Sequence, residues 1–301
     1  MTDREQQQVG SLHSLLLPDG YPLDAILAEL LTVDGLVAVV LGGSWAAGRQ
    51  RPDSDVDLGL FYRAGQPLDI DGVRRVAEKV NDTPGPVVTP IGGWGQWVNG
   101  GSWLTIGGRR TDFLYRDLDF VNETIDACLS ASRVRPDYWQ QPPYGFHPEI
   151  YCAEVKVCRP LYDPESAIAP LKERVALYPE IVKQRRVSGW LWGARFTLTT
   201  VKHAPQEGLT YLVAGHLTRA ATEMIHALYA LNETWFMNDK YVYREIAEFA
   251  IAPPDFMARI DAICGGLRTP ADMQRQVAAA LALHTELMAL AGDLYTERSW
   301  P

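Results

Sequence analysis

Two aspartates and a glycine-rich turn lie close together near the start of the chain. Residues 37–41 form an apolar run typical of a buried strand, and the glycine pair and serine of residues 42–44 follow it. Ten residues separate Ser44 from Asp55, and Asp57 follows two positions later. In a strand, residues i and i+2 share a face, so both carboxylates would point the same way. Mg²⁺ takes carboxylate oxygens as ligands, so a bound ion would offset their mutual repulsion.

The turn itself predicts contacts to phosphate. Paired glycines let backbone N–H groups approach a phosphate closely, which makes Gly43 and Ser44 candidate nucleotide-binding residues. Arg49, between the turn and the aspartates, is a third candidate, although an exposed arginine is equally ordinary there. Asp-x-Asp and Gly-Gly-Ser are each common on ordinary loops. Their combination at this spacing favours a metal and nucleotide site.

The Gly-Ser and Asp-x-Asp combination resembles the signature of the DNA polymerase β-like nucleotidyltransferase superfamily. Within it, the chain most resembles the small-molecule branch that includes aminoglycoside nucleotidyltransferases. The resemblance implies Mg²⁺-dependent transfer of AMP from ATP to a hydroxyl of a small molecule, with two Mg²⁺ ions. An aminoglycoside-like antibiotic is one candidate acceptor. The resemblance also implies the polymerase β-like fold, an α+β arrangement with a mixed sheet and flanking helices, followed by a helical bundle.

The superfamily carries a third carboxylate on a later strand, and Asp112 in the apolar segment TDFLY matches it. By resemblance, Asp112 would join Asp55 and Asp57 as a metal ligand and accept the proton of the attacking hydroxyl. The alternative from the residues alone is that Asp112 pairs with Arg109 or Arg110, because a buried acid needs a partner.

Other residues are candidates for contacts to the two substrates. Trp94 and Trp97 lie among glycines and could stack on a base or a sugar ring, whereas Trp103 in an alternating strand is predicted to be core. Glu154 is a candidate wall of the acceptor site. In related enzymes a lysine from the helical domain reaches the triphosphate. By that resemblance Lys240 is the first candidate and Lys183 the second.

Composition narrows the class of protein. The 301 residues are 47% hydrophobic and 22% charged, and the net charge of -9 disfavours a nucleic-acid partner. No apolar run is predicted to span a bilayer, and the N-terminus lacks a signal-peptide pattern, so a cytoplasmic protein is expected. Four cysteines without metal-ligand spacing predict free, mostly buried thiols.

A change from strand and turn patterns to long helical patterns predicts two domains, residues 1–160 and residues 161–301. The resemblance implies that the first is the nucleotidyltransferase domain, and the helical patterns predict that the second is a helical bundle domain. The first would contain helices at 23–31, 70–80 and 117–130, a hairpin of strands 102–106 and 109–115, a connector at 133–148 and a strand at 151–157. The strand would bring Glu154 and Lys156 to one face. The second would contain helices at 180–200, 209–231, 241–250 and 271–294.

Two other functions fit the same motifs. The protein could modify a macromolecule, either a protein or an RNA end, or it could be a non-catalytic nucleotide sensor. The presence of all three aspartates disfavours a sensor. In the bundle, Glu223 and His226 have the spacing of a di-iron ligand pair, but no second copy is evident, so a polar pair in the core is the favoured interpretation.

Overall fold

Six strands form one mixed sheet in the computed structural model, which describes residues 17, 20–132, 136–139 and 145–295. The strands are β1 (Ala38–Leu41), β2 (Val56–Tyr62), β3 (Val87–Val88), β4 (Gly101–Ile106), β5 (Arg109–Asp117) and β6 (Arg159–Tyr162). Their order across the sheet is β3-β4-β5-β2-β1-β6. Strands β2 and β5 run parallel, and the other neighbours pair antiparallel.

The described residues form two compact units, the first reaching to residue 126 and resuming over residues 136–139 and 145–176. Its helices are α1 (Leu23–Leu30), α2 (Gly43–Ala46), α3 (Ile70–Val80), α4 (Gly95–Val98), α5 (Leu118–Leu129, whose last residues belong to the second unit), α6 (Glu149–Val157) and α7 (Ile168–Val175). Part of the predicted connector 133–148, and most of the N-terminal lead-in, lie outside the described residues.

One face of the sheet is covered by helices and forms the core of the first unit. Alternate positions of β2 point to this face, and Val56, Leu58 and Leu60 are fully buried, as predicted. Leu30 of α1 and Val73 of α3 belong to the same apolar cluster. The intervening positions of β2 and β5 project to the opposite face, which is where the aspartates lie.

The predicted strand at 151–157 is wrong, because this segment lies in helix α6. Five of the helix's apolar residues are buried, so neither a period of 2 nor of 3.6 stands out in its sequence. Lys172 donates to the carbonyl oxygens of Val155, Lys156 and Cys158 at 3.0, 2.8 and 2.6 Å. These bonds give hydrogen-bond donors to carbonyl groups at the C-terminal end of the helix. Glu154 and Lys156 therefore do not share a face.

The second unit contains the predicted long helices, together with residues 127–132. They are α8 (Glu180–Thr200), α9 (Thr210–Leu231), α10 (Val242–Glu248), α11 (Phe256–Cys264) and α12 (Pro270–Ala291). Helices α8, α9 and α12 pack on one another, which confirms the predicted bundle. Helix α11 was not predicted, although Phe256, Ile260 and Ile263 are buried at helical spacing. The four cysteines are free and three are buried, as predicted.

One helical segment, Pro270–Leu294, is long and apolar enough to cross a membrane, with a mean hydropathy of 1.4 in its most apolar window. The sequence did not single out this segment as a candidate span. Its buried residues Met273, Val277, Leu283 and Leu287 recur at helical spacing, which is also typical of a core helix in a soluble bundle.

Glu223 and His226 are both buried within the bundle. The Glu223 carboxylate accepts hydrogen bonds from Thr197 Oγ1 at 3.0 Å and Arg219 Nε at 3.2 Å. The His226 ring stacks on Trp190 with centroids 4.9 Å apart. These contacts fit the interpretation of a polar pair in the core. Burial raises the pKa of Glu223 above its ordinary value, against the smaller lowering effect of Arg219.

The raised pKa of Glu223 predicts how stability changes with pH. A group whose folded-state pKa is raised contributes stability that is lost as pH rises through that value. We expect Glu223→Gln to gain stability relative to wild type as pH rises from 4.5 to neutrality, measured by urea unfolding. Glu286 is the control of opposite sign, because hydrogen bonds from Arg259 lower its pKa. For Glu286→Gln, stability relative to wild type should instead improve as pH falls. If the free energy of unfolding of Glu223→Gln differs from that of wild type by the same amount across this pH range, the prediction is contradicted.

Candidate active site

Strand register brings two of the predicted acids side by side. In the parallel pair of β2 and β5, Asp57 lies directly opposite Asp112. Neighbouring strands are about 4.8 Å apart, and both side chains are half-buried on the face away from the core. Asp55, also half-buried, lies immediately before β2 and two residues before Asp57. The structure thus places the three predicted aspartates at neighbouring positions.

The glycine turn lies against Asp57. Gly42 N–H donates to the carbonyl oxygen of Asp57 at 2.8 Å. Gly43 has a φ of +55°, and a Cβ at that position would lie 1.8 Å from Oδ2 of Asp57. Residue 43 must therefore be glycine for the turn to approach the carboxylate this closely. Ser44 follows in α2 with a half-buried side chain, and its carbonyl accepts from the Arg49 N–H at 2.8 Å.

Two arginines at the start of β5 contact the loop that leads into β2. Arg110 forms an ion pair with Asp55 at 3.1 Å. Arg109 donates to the carbonyl oxygens of Pro52 and Ser54 at 2.9 and 3.0 Å. Its guanidinium also lies 5.6 Å from the ring centroid of Trp45. These contacts fix the chain just before the first aspartate.

Trp103 is not a core residue, contrary to the prediction. It lies directly opposite Asp112 on β4, and its side chain is 55% exposed. Ser102, Leu104 and Ile106 are buried at alternate positions of this strand, so the phase of the alternation turns Trp103 to the other face. Trp94 stacks on it, with ring centroids 4.9 Å apart and planes at 24°. A stacked indole pair, of which Trp103 is the exposed member and Trp94 the half-buried one, therefore adjoins the aspartates.

Trp97 and Glu154 have partners of their own. The Trp97 ring packs against Phe120, Phe146 and Tyr151, with centroids 5.2, 5.1 and 6.0 Å away. Glu154 accepts two hydrogen bonds from the buried Arg116, at 3.1 and 3.0 Å. The role of each in binding an acceptor stays a prediction.

Arg116 was not anticipated from the sequence. It shares a face of β5 with Asp112 and is only 6% exposed. Burial acts to lower the pKa of Arg116, but the charges of Glu154 and Asp57 raise it, and the net shift is upward. A fixed positive charge therefore lies buried on the sheet face that carries the aspartates.

The two candidate lysines lie in the second unit. Lys240 is exposed in the short 3₁₀ helix Asp239–Tyr241, where its backbone N–H donates to Asn238 Oδ1 at 2.9 Å. Lys183 forms an ion pair with Glu233 at 2.7 Å. A contact of either lysine with a nucleotide stays a prediction.

Comparison with known proteins identifies the domain around the turn and the Asp-x-Asp motif. Residues 23–89 match the family model of the nucleotidyltransferase domain, a segment that includes Asp55 and Asp57 and ends before Asp112. A crystal structure of a nucleotidyltransferase-like protein from Exiguobacterium sibiricum 255-15 is similar at 12% identity and a TM-score of 0.31, covering 85% of this chain and 70% of that chain. No curated protein sequence matches the chain. The family match thus identifies a nucleotidyltransferase domain at residues 23–89, and the protein is an enzyme of this class.

Proposed function

We propose that the protein transfers AMP from ATP to a hydroxyl group of a small molecule, with Mg²⁺ as cofactor. The observation that carries the proposal is the pairing of Asp57 with Asp112 in neighbouring strands. The turn at Gly43 lies on the other side of Asp57. The phosphate-binding turn, the metal ligands and the proton acceptor would then follow one another across the sheet.

The three aspartates suit a hard divalent cation. They offer carboxylate oxygens, which Mg²⁺ prefers, and their partial exposure leaves room for substrate phosphates. Asp55 and Asp57 would hold the ion that carries the triphosphate, and they would share a second ion with Asp112. Bound Mg²⁺ supplies charge neutralisation on the attacking and leaving oxygens.

The residues of the chain then have distinct tasks. Backbone N–H groups at Gly43 and Ser44 hold the β- and γ-phosphates, with Arg49 and Lys240 as further phosphate contacts and Lys183 as the second lysine candidate. The acceptor oxygen forms a bond to the α-phosphorus while the bond from that phosphorus to the β-bridging oxygen breaks. Pyrophosphate leaves, and the proton of the acceptor hydroxyl passes to the Asp112 carboxylate.

The net charge of the protein bears on which kind of acceptor it binds. A net charge of -9 favours a neutral or cationic small molecule over a nucleic acid. An aminoglycoside-like antibiotic is one acceptor of that kind. We place the reaction in the cytoplasm, because ATP and Mg²⁺ are available there.

Titration of the protein with ATP, in the presence and absence of Mg²⁺, tests the proposal. We expect wild type to bind ATP at least about tenfold more tightly with Mg²⁺, and Asp55→Asn to lose most of that gain. Melting temperature should barely change, because the ion pair between exposed Arg110 and half-buried Asp55 lies at the surface and contributes only about 0–1 kcal/mol.

Asp53→Asn is the matched control for this titration. Asp53 is in the same loop, and its carboxylate, 77% exposed, pairs with Arg51. This variant should keep the full effect of Mg²⁺ on ATP affinity. Equal ATP affinity of wild type with and without Mg²⁺ would overturn the proposed cofactor and the roles given to the aspartates.

A further inference from the structure

The glycine turn has an arginine beside it on the strand opposite to the aspartates. Strand β1, which ends at the turn, has β2 on one side and β6 on the other. Asp57 lies on β2. Arg159 is the first residue of β6 and pairs with Leu41, the last residue of β1. An acidic strand and a strand that begins with a cation therefore flank the turn.

The side chain of Arg159 is bonded to the short helix that follows the turn. Its Nε donates to the carbonyl oxygen of Ala46, the last residue of α2, at 3.0 Å. Helix α2 begins at Gly43, and a helix rises about 1.5 Å per residue, so the two ends of α2 are about 4.5 Å apart along its axis. The guanidinium thus lies within about one helical turn of the residues proposed to bind phosphate.

The guanidinium of Arg159 keeps donors for a ligand. An arginine side chain presents a planar fork of several N–H groups, and the bond to Ala46 uses only the Nε–H. By contrast, Arg51, Arg110 and Arg116 of the same unit each pair with a carboxylate. Among the residues that the structure describes, no acidic side chain forms an ion pair with Arg159, which is exposed. Its charge is therefore available to an anion.

We infer that Arg159 binds the terminal phosphates of the nucleoside triphosphate, an inference that rests on the proposed function. The guanidinium fork matches two oxygens of a phosphate group. A triphosphate held at Gly43 and Ser44 brings several negative charges close to the aspartates, so a cation on the other side of the turn offsets their repulsion. The same contact would hold pyrophosphate as it leaves. Arg159 would thus favour nucleotides with distal phosphates over AMP.

The backbone at Arg159 is held in place before a ligand arrives. The carbonyl oxygen of the preceding residue, Cys158, accepts from Lys172 Nζ at 2.6 Å, and β6 is paired with β1. Such preorganisation reduces the entropy that binding must overcome. Arg159 also belongs to the same compact unit as the turn, whereas Lys240 and Lys183 belong to the second unit. The inferred contact therefore needs no residue of the second unit.

The competing interpretation is that Arg159 only stabilises the end of α2, because basic side chains commonly donate to the last carbonyl groups of a helix. Arg159→Gln separates the two roles. The Nε2 of glutamine is the same number of bonds from Cα as the Nε of arginine, so this variant can keep the bond to Ala46 without the guanidinium fork. Arg159→Lys keeps the positive charge but not the fork. Arg51→Gln is the control, because Arg51 is 79% exposed and pairs with Asp53.

The experiment measures the affinity of each protein for ATP, tripolyphosphate and AMP in the presence of Mg²⁺, together with its melting temperature. We expect Arg159→Gln to bind ATP and tripolyphosphate about 10- to 100-fold more weakly than wild type, the effect of losing a hydrogen bond to a charged group. AMP affinity and melting temperature should be unchanged. Arg159→Lys should fall between Arg159→Gln and wild type, and Arg51→Gln should match wild type. Equal losses of ATP and AMP affinity in Arg159→Gln would overturn the inference in favour of the structural role.

A measurement of pyrophosphate release separates failure of this contact from failure of the reaction. If Arg159→Gln binds ATP as tightly as wild type while wild type releases pyrophosphate, the inference is overturned and the proposed function stands. ATP affinity that depends on Arg159, without pyrophosphate release from any acceptor tested, supports the contact and counts against the proposed transfer. Failure of wild type to bind either ATP or tripolyphosphate would overturn the contact and the proposed function together.

Discussion

Asp112→Asn is expected to bind ATP and Mg²⁺ nearly as well as wild type but to turn over roughly 10²- to 10⁴-fold more slowly. Asp55 and Asp57 remain in this variant to hold the ion that carries the triphosphate. The amide of asparagine cannot take the proton from the attacking hydroxyl. Loss of the second ion would lower turnover further. ATP titration, melting temperature and the rate of pyrophosphate release on one preparation measure the three quantities.

Asp117→Asn is the matched control on the same strand. The Asp117 carboxylate accepts from the N–H groups of Asp119 and Phe120 at 3.0 and 3.3 Å, so it caps α5. Its replacement should leave turnover per folded molecule unchanged. If Asp112 serves only as an ion-pair partner of Arg109 or Arg110, its variant should behave like this control. Near-normal turnover in a well-folded Asp112→Asn protein would remove Asp112 from the proposed mechanism.

Local pattern was enough to predict the turn, the strand around Asp57 and the hairpin that carries Asp112. Val56, Leu58 and Leu60 of β2 are buried and Asp57 between them is half-buried, and glycines mark the turns. The pairing of Asp57 with Asp112 depends instead on two parallel strands far apart in sequence. Periodicity within each strand cannot reveal such a pairing, and the third aspartate was assigned from the resemblance.

The position of Trp103 was contained in the sequence but was assigned wrongly. A two-residue turn at Gly107 and Gly108 pairs Ile106 with Arg109, and counting outward from that pair sets Trp103 opposite Asp112. The acid and the tryptophan must then share one face. Trp103 was predicted to be core because it is apolar, without regard to this register. The indole surface beside the site follows from turn geometry alone.

Helix α6 and the Arg116–Glu154 pair could not be predicted in the same way. The helix has no polar face of normal width, because Ile150, Tyr151, Cys152, Ala153 and Val155 are all buried. The bidentate bond from Arg116 joins residues separated by 38 positions in the chain. A buried charge of this kind is stabilised by a specific distant partner, and no local signal in the sequence identifies that partner.

Gly43→Ala is expected to fold and yet to lose turnover by about 10²-fold, the size of effect that misplacing a reacting group by about 1 Å can produce. The new Cβ would lie 1.8 Å from Oδ2 of Asp57, an impossible contact. Oδ2 is the end of a side chain that can rotate, so the carboxylate moves and the backbone is spared. The aspartate would then no longer be placed to hold the ion beside Asp112, and Mg²⁺-dependent ATP affinity should fall as well.

Gly48→Ala separates this effect from the cost of backbone conformation. Both glycines have a positive φ, +55° at Gly43 and +67° at Gly48, so alanine at either position carries a penalty of about 1–2 kcal/mol. No atom lies within 4 Å of a Cβ placed at Gly48. The two variants should therefore lose similar stability in urea unfolding, whereas only Gly43→Ala should lose turnover. Equal turnover in both would show that close approach of the turn to Asp57 does not matter for the chemistry, because the carboxylate would then work from a displaced position.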